Sequence, residues 1–175
     1  MKIKSALLPL AVLALSLISP YGDAKPRVAI LNFELSDLTL RPNTPDEQRR
    51  TASLRPLLEQ ALTRSGYDIV AIDAGAEQLA EAGPGYLFRY HDLAAQLGKR
   101  FGADWVVVGR HSKPSFLFSY LMAHLIRVEP QTLAAGFDIE LKGNHATVAE
   151  HGIRSLADKI DAVIDNAGHD QRAAP

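Results

Sequence analysis

The 175-residue chain contains no cysteine. Disulfides, thiolate nucleophiles, zinc–thiolate sites, covalent haem attachment and lipoprotein acylation are all excluded by that one absence. Beyond residue 24 the sequence has no apolar run of about 20 residues, the length that a membrane-spanning helix needs. No stretch of clustered Lys and Arg is present, so the surface lacks the basic footprint that phosphate neutralisation demands, and nucleic acid is not an expected partner. GxSxG and HExxH are also missing. The one glycine-rich stretch, Gly83-Pro84-Gly85, has neither a strand before it nor the third glycine of a dinucleotide loop, and reads as a plain turn.

What is present begins with a leader. Lys2 and Lys4 precede an apolar run from Ala6 to Ile18, Ser19-Pro20 breaks any helix, and Gly22-Asp23-Ala24 supplies small residues where a signal peptidase reads. Residues 1–24 are therefore expected to be a signal peptide cleaved after Ala24, with the product in the periplasm or secreted. Losing Lys2, Lys4 and Asp23 leaves 17 basic and 19 acidic residues, a net charge of −2. The remaining length of about 150 residues suits one domain, expected over 25–167, followed by a flexible tail at 168–175.

Arg27–Phe33 is apolar and β-branched, and reads as a buried strand. Glu34–Asn43 reads as a loop. Thr44-Pro45-Asp46-Glu47 is a capping box with proline at the first helical position, opening a helix whose face is Leu54, Leu58, Ala61 and Leu62. Pro56 should kink or restart that helix, and Gly66 should stop it. Tyr67–Ile72 is a second strand. Short helices are expected over Ala74–Ala82 and His91–Phe101, the latter with Leu93, Leu97 and Phe101 on one face.

Asp104–Arg110 is a third, buried strand, after which the pattern changes to consecutive strands, Phe116–Val128 and Leu133–Lys142. The second alternates, with Leu133, Ala135, Phe137, Ile139 and Leu141 on one side. Thr147-Val148-Ala149-Glu150 is a second capping box, opening a helix with an Ile153, Leu156, Ile160, Ile164 stripe. The order β-α-β-α-α-β-β-β-α predicts an α/β fold, a mixed sheet packed with helices.

The strand RVAILNF, the leucine-bearing helix leading to GYDIVAI, and LAAQLGKRFGADWVVVGRHSK followed by a hairpin and a helix together resemble the N-terminal domain of TolB and its relatives in curli-secretion lipoproteins. A closer resemblance, over essentially the whole mature chain, is to a family of short exported bacterial proteins of unknown function, carried by the GAD-apolar-G strand and Gly136–Asn144. The chain departs from that family in a more aromatic first hairpin strand and in the turn Glu-Pro-Gln-Thr. The resemblance implies the fold and an accessory role in the periplasm, one version being support of a quinoprotein alcohol dehydrogenase system with a small ligand held.

Candidate chemistry is sparse. His91, His111, His124, His145, His151 and His169 show no metal-ligand spacing, and His91-Asp92 are neighbours that point about 100° apart on a helix, unsuited to an orienting pair. A metal-dependent hydrolase remains an alternative reading, to be favoured by a pocket converging on several of these histidines. The segment from Phe116 to Ile126 is more distinctive. As a strand it puts Phe116, Phe118, Tyr120, Met122 and His124 on one face and Leu117, Ser119, Leu121, Ala123 and Leu125 on the other. Such a strand is either central and covered on both faces, or it leaves an aromatic face for a partner. The expectation drawn is a non-enzymatic interaction or accessory protein without cofactor. Phe116, Phe118, Tyr120 and Met122 meet a periplasmic protein partner or a second copy.

Overall fold

The computed structural model describes residues 25–39, 42–115, 117–143 and 146–173, so the predicted signal peptide lies outside the described residues. Strand β1 (Arg27–Ile30) starts two residues into the described chain. It pairs in parallel with β3 (Asp68–Val70) on one side and β4 (Trp105–Lys113) on the other. Two antiparallel strands, β5 (Phe118–Arg127) and β6 (Thr132–Lys142), complete the order β3-β1-β4-β5-β6. The expected mixed α/β sheet is therefore present.

The stretch read as a loop is not all loop. Glu34–Asp37 forms β2, which continues alongside β4 with Glu34 opposite Arg110 and Asp37 opposite Lys113. From Val28 to Glu34 this track advances six residues while β4 advances five, from Trp105 to Arg110. The extra residue sits at the break between β1 and β2. There the Glu77 carboxylate accepts hydrogen bonds from the Asn32 backbone N–H at 2.6 Å, the Asn32 amide at 2.9 Å and Arg55 at 3.3 Å. The first of those bonds satisfies backbone that has left the ladder.

Helices cover both faces. On one side lie α1 (Pro45–Arg64) and α5 (Ala146–Ala173), burying Leu54, Leu58, Leu62, Ile153, Leu156 and Ile160 against Val28, Ile30, Val107, Leu121 and Leu125. On the other lie α2 (Ala74–Ala80), the single turn α3 (Tyr86–Arg89) and α4 (His91–Arg100), closing over Ala29, Leu31, Val106 and Val108. Gly98 lets α4 approach so closely that an added methyl group would overlap Val106. The Thr44 capping box is formed, with Thr44 and Glu47 bonding each other's backbone.

Several expectations are corrected. Pro56 neither kinks α1 into two helices nor restarts it, since the fully buried Leu54 and Leu58 on either side hold the helix to the sheet through the missing hydrogen bond. Thr147 falls inside the first turn of α5, which opens at Ala146. The same helix runs to Ala173, so residues 168–173 are helical where composition predicts a tail. Leu133 does not share a face with Ala135, Phe137, Ile139 and Leu141. A register shift pairs Leu125 with Ala135 but Ile126 with Leu133, leaving Ala134 as a bulge, and one extra residue turns everything before it to the other side.

Candidate interaction surface

Register places the predicted stripe. Tyr120 lies opposite Ser112 on β4 and Glu140 on β6; Met122 lies opposite Arg110 and Asp138; Phe118 lies opposite Lys142. Directly opposed residues share a sheet face. Phe118, Tyr120 and Met122 therefore form a row on the side that carries α2, α3 and α4, and all three are half-buried. Phe116 lies outside the described residues. The alternate residues Ser119, Leu121, Ala123 and Leu125 are buried under α1 and α5.

The strand is thus covered completely on one face and only at its lower end on the other. Phe118 and Tyr120 meet edge to face, centroids 5.7 Å apart and planes at 78°, which braces the row. Leu117, just before it, is 82% exposed.

The border of the cover is His124. Phe88 of α3 stacks on its ring at 3.8 Å, and its Nδ1 lies 2.9 Å from Nε2 of His91 and 3.0 Å from the Phe88 carbonyl oxygen. Burial, followed by the neighbouring His91, pushes its pKa below the ordinary histidine value. Arg110 fills the next position, its guanidinium 4.7 Å above the Phe88 ring and 3.0 Å from Glu34. Gly85 beside it has φ +69°, a left-handed conformation that favours glycine.

The opposite face of the sheet holds a polar network that local sequence does not reveal. His111 is buried, with Nδ1 2.7 Å from the Thr51 hydroxyl and Nε2 3.0 Å from the Ser119 hydroxyl. Burial, helped by Arg50 and Lys113, pushes its pKa down to about 4, so the imidazole is neutral at pH 7. Lys113 bonds Asp37 at 3.0 Å and also Glu47; burial alone would lower its pKa, but these carboxylates outweigh it and the pKa is raised. Ser119 and His111 have the contact of a nucleophile and base. The orienting position on Nδ1 is taken by the Thr51 hydroxyl and not by a carboxylate.

Of the six histidines, the structure brings together His91 and His124, a pair that the sequence does not single out. His111 is separate, on the buried face, and His151 and His169 are exposed on α5; His145 lies outside the described residues. No group of three or more His, Asp or Glu side chains that could hold one metal ion is found among the described residues. Open parallel sheets bind ligands beyond the carboxyl ends of their strands where the strand order reverses, here between β1 and β4. Phe33 occupies that place, packed so tightly on Gly109 that an added methyl group would overlap its ring. A crevice of about 580 Å³ remains beside it. Its carboxylates are already engaged: Glu77 with Asn32 and Arg55, Glu34 with Arg110, and Glu81 with the backbone N–H of Tyr86.

Among the described residues no helix is long and apolar enough to cross a membrane. No curated protein matches the chain. Among solved structures it is similar to the lipoprotein GNA1162 from Neisseria meningitidis, with TM-score 0.53 and 9% identity over 78% of this chain and 96% of that one. It is also similar to TolB from Acinetobacter baumannii, TM-score 0.51 and 16% identity over 81% of this chain but 29% of TolB. A third likeness is to the PelC dodecamer from Paraburkholderia phytofirmans, TM-score 0.50 and 14% identity over 81% and 88%. At these identities the likeness is one of fold. Residues 26–160 match a family described as protein of unknown function (DUF2380), and the chain belongs to that family, DUF3280.

Proposed function

We propose that this chain is a soluble, exported, non-enzymatic interaction or accessory module of the bacterial envelope, which docks a protein through the uncovered half of its sheet. The observation that carries the reading is the asymmetry of β5: one face is buried throughout, while Phe118, Tyr120 and Met122 on the other stay half-exposed beyond the helical cover. Large apolar side chains in a contiguous row mark docking surfaces more often than solitary ones do. Aromatic anchors also dominate the energy of such contacts. One fold neighbour is described as a lipoprotein, which supports an envelope setting, and another as a dodecamer, which supports self-association.

The test compares Phe118→Ser, Tyr120→Ser and Met122→Ser with the parent. At least one variant is expected to keep its thermal midpoint nearly unchanged while losing self-association in sedimentation or capture of its periplasmic partner. If every variant unfolds early and none changes association apart from folding, the row is core and the docking reading fails.

A further inference from the structure

We propose that the outer edge of β6 receives an extended, arginine-bearing strand of a partner protein, whose guanidinium groups pair with Asp138 and Glu140 of β6, the one at Glu140 also lying on the Tyr120 ring of β5. This rests on the docking reading above and names the chemistry of its partner. β6 ends the strand order, and its outer side pairs with no strand among the described residues. Over Thr132–Lys142 it therefore offers a row of backbone donors and acceptors that another strand can complete.

On the open face this edge carries Asp138 and Glu140. Met122 lies directly opposite the first and Tyr120 opposite the second. Lys142 reaches Glu140 only at 3.5 Å and is 80% exposed, so it neutralises the row weakly. A carboxylate beside an aromatic ring suits a guanidinium, whose planar fork pairs with the acid while its face lies on the ring. The same sheet face already uses this device, with Arg110 held between Glu34 and the Phe88 ring. An added strand lies about 4.8 Å from β6, and an arginine on it is long enough to pass Glu140 and touch Tyr120. Its alternate residues turn to the other face, beside the half-buried Phe137 and Ile139, and should be aliphatic. A second copy fits less well, since antiparallel registers centred on Asp138–Glu140 oppose like charges.

The probe is a labelled peptide of about ten residues alternating valine with arginine. Counterparts with lysine or glutamate are titrated beside it against the mature chain by fluorescence anisotropy, and hydrogen exchange locates the contact. The arginine peptide is expected to bind, the lysine peptide about fivefold more weakly, and the glutamate peptide not at all. The double variant Asp138→Lys, Glu140→Lys, at two exposed positions, should lose about tenfold or more for the arginine peptide and accept the glutamate one. Protection should appear over residues 135–142. Equal binding of the arginine and lysine peptides, binding unchanged by the double variant, protection away from β6, or a dimer that covers β6 would each overturn the proposal. If the charge reversal is silent while Phe118→Ser abolishes partner capture, docking stands and the edge assignment falls. If the serine variants merely unfold while the peptides behave as stated, the edge assignment stands and the aromatic anchor falls.

Discussion

At pH 7 the imidazole of His111 accepts and donates within the core as a neutral group, and acid is what would charge it. An unfolded histidine takes its proton near pH 6.5, whereas the folded one waits until about pH 4. Between those values the unfolded chain binds more protons, so stability rises with pH across the window and is lost as pH falls through it. The loss should approach about 3 kcal/mol at pH 4 for this fully buried group. His111→Gln should lower stability at pH 7 but flatten its dependence on pH between 4 and 6.5, as read from urea midpoints. An unchanged slope would mean that another group titrates there. His124, also pushed down, adds a contribution of the same sign, and His124→Gln separates the two. The sequence shows a histidine near a hairpin but not its partners, because Thr51 is 60 positions away on α1 and Ser119 is on the next strand.

Elements differ in how plainly their sequence announces them. The stripe of α5 is readable because its apolar residues recur at helical spacing, and Leu156 and Ile160 are indeed fully buried. Leu156→Ala should therefore cost about 2 to 4 kcal/mol in chemical denaturation, with the spread set by how far α5 can settle onto Leu121 and Leu125. An unaltered midpoint would show that the helix docks by other residues. β2 is the opposite case. Its four residues Glu34–Asp37 have no strand signature, and they are extended because the upper half of β4 needs a neighbour where β1 ends. The bulge at Ala134 is equally silent, since Leu133 to Leu141 alternate without interruption in the sequence, and only pairing with β5 selects the residue left out.

For the molecule as a whole, the charged, apolar and small-residue order of the leader predicts export. Protein recovered from the periplasm should begin at Lys25 by mass spectrometry, and an intact Met1 on cytoplasmic protein would count against it. Fold neighbours at 9 to 16% identity show how little of the chain the architecture demands, since apolar strands and helix faces in the right order suffice. The amino-acid sequence by itself determined most of the strands and helices, the capped start of α1, the two helix stripes that make the larger core, and membership of its family. It also placed Phe118, Tyr120 and Met122 on one face of a strand. Only the tertiary structure decided that α3 and α4 stop at His124, that His91 meets it, that Phe33 fills the usual ligand crevice, and that Asp138 lies opposite Met122 and Glu140 opposite Tyr120. The reason is physical: periodicity records which face of an element is apolar, whereas the neighbour across that face depends on strand register and helix length, which residues far apart in the chain settle jointly.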